Sequence, residues 1–249
     1  MGVSRNLEKS ELSLAGTRAA ITGGTSGLGL ALVHELRNRG AQVAFVARNR
    51  NRVERLAQEL DGAYGITGDV SRKEDIYPLA MQIAGALGGL DVLINNASDL
   101  GPVPLALLGD TDSERFERAF STNVLGPFWL TKALLGSLAA SAREGRGAAV
   151  VNISSDAGVN AYPYWGAYGA SKAALHHLSR IWDEELRAEG IRVISIDPGD
   201  MDTPLHAIAV PDADRTALKR PEVAAREIAD RIHSLLWHHG SGIEEEAIR

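Results

Sequence analysis

Short apolar runs alternate along this chain with longer stretches in which apolar residues recur at helical spacing. The runs predict strands near residues 18–22, 42–47, 63–67, 91–95, 148–153 and 191–196, with helices between them. That alternation is the pattern of a parallel sheet covered on both faces. Residues 113–140 and 163–188 predict the two long helices, and Pro221 opens a further amphipathic one. Beyond it, residues 243–248 read as a short last strand or a tail. No linker, repeat or low-complexity tract divides the chain. The expectation is one α/β domain over residues 15–249, a doubly wound parallel sheet of about six to seven strands, preceded by a mobile arm over residues 1–14.

Composition narrows the function. The 249 residues carry a net charge of −6, which gives no electrostatic footprint for nucleic acid. No apolar run approaches the ~20 residues that span a bilayer, so no membrane partner is expected. The polar first ten residues lack the apolar core of a secretory signal, and no Ser or Thr stands where a myristoylation motif needs it. Cysteine is absent, which rules out disulfides and thiolate metal sites and fits a reducing, cytoplasmic setting. The neighbouring pairs His176-His177 and His238-His239 lack the i, i+4 spacing of a zinc site, so no metal is expected.

Two motifs carry chemistry. Ser155 precedes Tyr168 by thirteen positions, and Lys172 follows Tyr168 by four. In an alanine-rich helical stretch, that last spacing puts phenol and ammonium one turn apart on one face. Free tyrosine titrates near ~10, and a neighbouring cation lowers that value toward the range where proton transfer to a substrate oxygen is efficient. Ser155 adds a hydroxyl for the same oxygen. Near the start, the apolar run at 19–21 leads through Thr22-Gly23-Gly24-Thr25-Ser26-Gly27-Leu28-Gly29 into a helical pattern. In such a turn the backbone approaches a ligand closely, and the helix amides receive a pyrophosphate. Each motif alone is weak: a glycine-rich turn also occurs with no ligand, and Tyr-x-x-x-Lys arises by chance.

Together the motifs resemble the short-chain dehydrogenase/reductase family, from about Gly16 to about Pro221. The marks are Thr22, Gly23, Gly27 and Gly29; Asp69-Val70; Asn95-Asn96-Ala97-Ser98; Asn123; Ser155, Tyr168 and Lys172; and Pro198-Gly199 with Thr203. Ser98 stands where the family usually has glycine, a small change expected to be tolerated. The chain also lacks the family's common glycine-rich ending. The resemblance implies a Rossmann-like fold and a homodimer or homotetramer built on the two long helices, with the altered ending counting against the tetramer.

It also implies site roles. Gly23, Thr25, Ser26, Gly27, Leu28 and Gly29 hold the cofactor's pyrophosphate, Asp69 and Val70 flank adenine, and Asn96 and Ala97 meet a ribose. Pro198, Gly199 and Thr203 meet the nicotinamide end. At the end of the second strand the family's acidic position holds Ala47, followed by Arg48. This is the NADP(H) pattern, because an arginine pairs with the 2′-phosphate. Arg50 and Arg52 are further candidates on the next helix. Tyr168 exchanges the proton with a carbonyl or alcohol substrate, Lys172 lowers its pKa and binds ribose hydroxyls, and Asn123 holds a water that extends the proton path. Local readings compete at some positions: Asp69 as a turn or cap with Ser71, Asn123 at a helix kink, and Thr203-Pro204 as a helix start.

Four acids fall at strand ends, namely Asp99, Asp156, Asp200 and Asp202. Asp200 above all, with Asp156, is read as a contact for a polar or amine-bearing substrate, against the alternative that all four cap turns. Tyr162, Tyr164 and Trp165 are expected as pocket wall, residues 201–219 as a movable lid, and His206 as a lid residue near the pocket. The leading function is an NADP(H)-dependent oxidoreductase. Two other classes stay open: a cofactor-sensing binding protein on the same fold, and a sugar-nucleotide epimerase or dehydratase, whose longer chain and glycine spacing are not found here.

Overall fold

The computed structural model describes residues 12–237. Among them, β1 (Arg18–Thr22), β2 (Gln42–Ala47), β3 (Ala63–Thr67), β4 (Val92–Asn95), β5 (Ala148–Ile153) and β6 (Ile191–Ile196) form one sheet in the order β3-β2-β1-β4-β5-β6. Every pairing is parallel. The strands match the expected ones except that Asp91 lies just before β4. The strand order reverses between β1 and β4, and in such sheets ligands bind beyond the carboxyl ends at that point.

Helices α1 (Gly27–Asn38), α2 (Arg50–Glu59), α3 (Lys73–Leu87), α4 (Ser113–Phe120), α5 (Gly126–Arg143), α6 (Gly166–Leu186), α7 (Pro204–Ala209) and α8 (Pro221–Trp237) surround the sheet. Successive strand residues point to opposite faces, and here both faces are covered. Ala19, Ile21, Val43 and Phe45 pack with Leu32 and Leu36 of α1 and Ile228 and Ile232 of α8. Ala20, Ala44 and Leu93 pack with Ile76, Leu79 and Ile83 of α3 and Leu130 and Leu134 of α5. Burial on both faces is why the strands read as apolar runs rather than as alternating ones.

Three expectations are adjusted. The first long helix runs to Arg143 and is interrupted by a π-helical segment, Ser121–Leu125. The second starts at Gly166 rather than residue 163, because Tyr164 sits at φ 73, which no helix accommodates. Leu14, assigned to the mobile arm, is fully buried, and its N–H donates to the Arg39 carbonyl at 2.9 Å. The rest of the arm up to residue 11, the last segment 243–248 and His238-His239 lie outside the described residues. By length and composition, Ser113–Arg143 could cross a membrane. Its Leu130, Leu134 and Leu138 instead fill the core against the sheet.

At the amino end of the sheet, Asp91 accepts hydrogen bonds from Arg18 at 2.7 Å and Arg146 at 2.9 Å, which hold its carboxyl well below the usual range against the opposing effect of burial. This cluster ties β1, β4 and the end of α5 together at the pole opposite the site.

Candidate active site

A cavity of about 770 Å³ lies over the carboxyl ends of the strands. Thr22 fastens β1 to β4 beneath it: its hydroxyl accepts from the N–H groups of Asn96 and Ala97 at 3.0 Å each, and its carbonyl accepts from Asn96 Nδ2 at 2.9 Å. The glycine turn follows directly. A side chain at Gly29 would place its Cβ 2.2 Å from the Gly23 carbonyl oxygen, so the chain can pack only as glycine there. Ser26 stands at the N-cap of α1 without making a capping bond from its side chain, which leaves its hydroxyl for a ligand. Gly23, Thr25, Ser26, Gly27, Leu28 and Gly29 all line the cavity, as do Arg48, Asp69, Val70, Asn96, Ala97, Pro198, Gly199 and Thr203. This set fits a dinucleotide: a close-approach turn and a helix start for the pyrophosphate, with an exposed guanidinium at the end of β2.

Of the other arginine candidates, Arg52 lines the cavity and Arg50 does not. The Asp69 carboxylate accepts from Ser71 N at 3.0 Å and Ser71 Oγ at 2.7 Å, so the expected turn with Ser71 forms at a residue that also faces the cavity. Thr203 Oγ1 accepts from His206 N at 3.2 Å and caps α7, with Pro204 as its first residue. The two ends of the lid are joined by a bridge between Met201 and Lys219. The Arg215 guanidinium donates to both oxygens of Asp202 at 2.9 and 3.0 Å.

Ser155, Tyr168 and Lys172 meet on the cavity wall. Lys172 is buried and its Nζ donates to the Ile153 carbonyl at 2.7 Å, while lying 5.4 Å from the Tyr168 ring centroid. Burial lowers Lys172 to about 8, offset in part by the negative charge of Asp197. Burial likewise pushes the Tyr168 phenol up to about 12; the hydroxyls of Ser155 and Ser98 pull it down, and Asp197 and Asp156 push it up further. This corrects the expectation that Lys172 brings the phenol toward neutrality. Desolvation dominates, and the groups that lower the phenol are two serine hydroxyls.

Asn123 does not line the cavity itself. It is fully buried in the π segment, where its Nδ2 donates to the Asp99 carbonyl and Ser171 Oγ at 2.8 Å each. Its Oδ1 accepts from Asp99 N at 2.8 Å and from Ser98 Oγ at 3.3 Å. The expected helix irregularity is therefore present, and the side chain clamps the loop after β4 to α6.

Among the four strand-end acids, Asp156 and Asp200 line the cavity. Asp99 pairs with Arg118 at 3.1 Å and Asp202 with Arg215. Asp156 accepts from the Tyr162 hydroxyl at 2.7 Å and from Ser155 Oγ at 3.2 Å. The Asp200 side chain is 81% exposed and lies 3.9 Å from His206 Nε2. Tyr162 and Trp165 form wall as expected, whereas Tyr164 does not line the cavity. Sequence reasoning missed Asp197, which touches both titrating groups electrostatically, although its place directly before Pro198-Gly199 was a usable signal. It also missed the apolar part of the wall that Leu100, Ala157, Leu205 and Ala209 form, packed with Trp165 and Tyr168. That cluster joins segments far apart in the chain.

Comparison with known proteins identifies the class. Residues 17–213 match the family model described as short chain dehydrogenase, and the chain belongs to that family. It is 30% identical over 208 residues to an uncharacterized oxidoreductase of Staphylococcus aureus (strain MRSA252), covering 83% of this chain and 87% of that one. The Pseudomonas aeruginosa RhlG/NADP active-site complex is 31% identical, with a TM-score of 0.79 over 89% of this chain and 91% of that one. The 3-ketoacyl-(acyl-carrier-protein) reductase from Brucella melitensis complexed with NADH is 26% identical, with a TM-score of 0.81 over 87% and 91% of the two chains. The chain is thus an oxidoreductase of the short-chain dehydrogenase family.

The lowered Lys172 value has a measurable consequence. Its folded value lies below the ordinary lysine value of 10.5, so between about pH 8 and 10.5 the unfolded chain binds the extra proton and this group makes stability rise with pH, by at most about 1.4 kcal/mol per pH unit. Denaturant titrations of the wild type and Lys172→Met across that range should show the rise in the wild type only. Parallel curves would contradict the burial of the ammonium.

Proposed function

We propose that this protein interconverts a carbonyl and a secondary alcohol with NADP(H) as cofactor and Tyr168 as acid and base. The observation that carries this reading is the meeting of Tyr168, Ser155 and Lys172 on the wall of the same cavity that holds the glycine turn and Arg48. When bound, the nicotinamide supplies the hydride in reduction and accepts it in oxidation. Negative charge that builds on the substrate oxygen is met by the Tyr168 proton and a hydrogen bond from Ser155. The Lys172 ammonium, with its second role at the ribose, holds positive charge next to the forming phenolate. Gly23, Ser26 and the start of α1 would receive the pyrophosphate, Arg48 and Arg52 the 2′-phosphate, and Thr203 the carboxamide.

Ala47 and Arg48 support NADP(H) over NAD(H), since no carboxylate follows β2 to accept the ribose hydroxyls. A protein that only sensed the cofactor's redox state would have no use for Ser155, Tyr168 and Lys172 together on one wall. Fluorescence titration with NADPH and NADH should give at least tenfold tighter NADPH binding, about 1.4 kcal/mol, and Arg48→Ala should remove most of that preference. Equal affinities would overturn the cofactor assignment.

On the substrate side, the apolar wall beside Tyr168 and the carboxylates of Asp156 and Asp200 favour a carbonyl compound with an apolar body and a polar or amine group. Because the Asp200 side chain is so exposed, its pairing with a substrate amine is worth under about 1 kcal/mol. Asp200→Asn should therefore raise KM for amine-bearing carbonyls a few-fold and leave NADPH affinity unchanged. An unmoved KM across such compounds would dispose of its role.

A further inference from the structure

The hydroxyl of Ser155 already has a partner. Its Oγ donates to Asp156 Oδ1 at 3.2 Å and accepts from Ala157 N at 3.2 Å. A serine hydroxyl carries a single proton, so while this bond stands Ser155 donates nothing to a substrate oxygen. The turn that makes the bond is fixed by its backbone. Gly158 N donates to the Ser155 carbonyl at 2.9 Å, and Val159 N and Asn160 N donate to the Asp156 carbonyl at 2.9 and 2.8 Å. A Cβ at Gly158 would lie 3.0 Å from Ala173 N, and one at Gly169 would lie 2.7 Å from the Ala157 carbonyl oxygen, so the turn sits directly on the backbone of α6.

Asp156 differs from the other strand-end acids in its partners. Asp99 and Asp202 are paired with Arg118 and Arg215, and Asp200 lies against His206. Among the described residues no Lys, Arg or His pairs with Asp156; its second carboxylate oxygen accepts from the Tyr162 hydroxyl at 2.7 Å. It is therefore an exposed carboxylate with hydroxyl partners only, on the wall that also carries Ser155 and Tyr162. Relative bond strengths decide which oxygen Ser155 serves. A hydrogen bond to a carboxylate is roughly twice as strong as one to a neutral carbonyl oxygen, so an unpaired Asp156 retains the Ser155 proton when a neutral ketone enters. A substrate ammonium reverses that order, because it balances the carboxylate charge and occupies its lone pairs with N–H donors.

We propose that Asp156 is a specificity-determining residue of this site: unpaired, it holds the Ser155 proton away from the substrate oxygen, and an ammonium carried by the substrate pairs with it and releases that proton to the reaction. The inference deepens the proposed function and rests on Ser155 and Tyr168 meeting the substrate oxygen. It assigns the substrate class as a carbonyl compound with an amine on a carbon near the carbonyl, since Ser155 Oγ and Asp156 Oδ1 lie 3.2 Å apart. Ser155 keeps its proton throughout and only redirects it. The Asp156 carboxylate stays ionised and exchanges a hydroxyl donor for an ammonium one.

Two ketones of one shape provide the test: α-(dimethylamino)acetophenone in mildly acidic buffer, where its amine is charged, and isovalerophenone, in which C–H replaces N⁺–H. Calorimetric titration into the enzyme–NADP⁺ complex, which reduces neither, should show the aminoketone binding the wild type a few-fold more tightly. Asp156→Ala and Asp156→Asn should bind the two alike. With NADPH, wild-type turnover should be about fivefold faster on the aminoketone. Both variants should lift turnover of isovalerophenone toward that level and leave NADPH affinity unchanged. In a Ser155→Ala background the same substitutions should give no such rise. A rise that persists there acts through the repulsion between Asp156 and charge on the Tyr168 oxygen, and overturns the proposal. Equal binding of the two ketones by the wild type, or isovalerophenone turnover that the variants leave unchanged, also overturns it. Tyr168→Phe separates the two levels: full turnover by that variant removes the reading of the site and this proposal together. Turnover that Tyr168→Phe abolishes, beside unchanged Asp156 variants, removes the role of Asp156 alone.

Discussion

The bond from Lys172 Nζ to the Ile153 carbonyl is the contact on which the site depends. An ammonium buried without a partner is costly, and this one lies between α6 and the last residue of β5. The carbonyl, the face of Tyr168 and the charge of Asp197 are its partners. Satisfying the ammonium therefore fixes the rotation of α6 against the sheet. Tyr168, one turn earlier on the same helix face, is carried to the cavity wall as a consequence. Ser155 follows Ile153 by two residues on the other partner, so one buried bond sets the distance between the two halves of the proposed catalytic group.

A second constraint acts from the opposite side. The π-helical segment Ser121–Leu125 turns Asn123 into the interior, where its amide holds the loop after β4 and Ser171 of α6. Such single-turn widenings of a helix are frequent at functional sites. Here the widening lets a short side chain bridge two elements that border the cavity. The phenol is thus confined between β5 through Lys172 and the β4 loop through Asn123, in a place where desolvation dominates its acidity. The surrounding hydroxyls and carboxylates then set how costly the phenolate is.

The strands were legible because a sheet buried on both faces leaves uninterrupted apolar runs, and all six fall where those runs predict. Ser155, Tyr168, Lys172 and the glycine turn were legible because local spacing alone brings each motif to a strand end or a helix face. What was not legible depends on neighbours distant in the chain. The acidity of Tyr168 follows from burial by Leu100, Leu205 and other segments rather than from Lys172 one turn away. Asn123 could be marked by family resemblance, but its hydrogen bonds become visible only when the 98–99 loop and Ser171 are in place. Tyr164 leaves the wall because of its backbone conformation, for which its aromatic neighbours gave no signal.

The most direct test of the account follows the hydrogen itself. NADPH carrying deuterium at the nicotinamide C4 is mixed with a carbonyl the enzyme accepts, and the alcohol is analysed by mass spectrometry and NMR. The account predicts deuterium on the carbinol carbon, delivered from one face of the nicotinamide only, with formation of that alcohol reduced by about 10²–10⁴ in Tyr168→Phe, the usual worth of a positioned general acid. An alcohol without deuterium, or labelled alcohol formed equally fast by Tyr168→Phe, would contradict it.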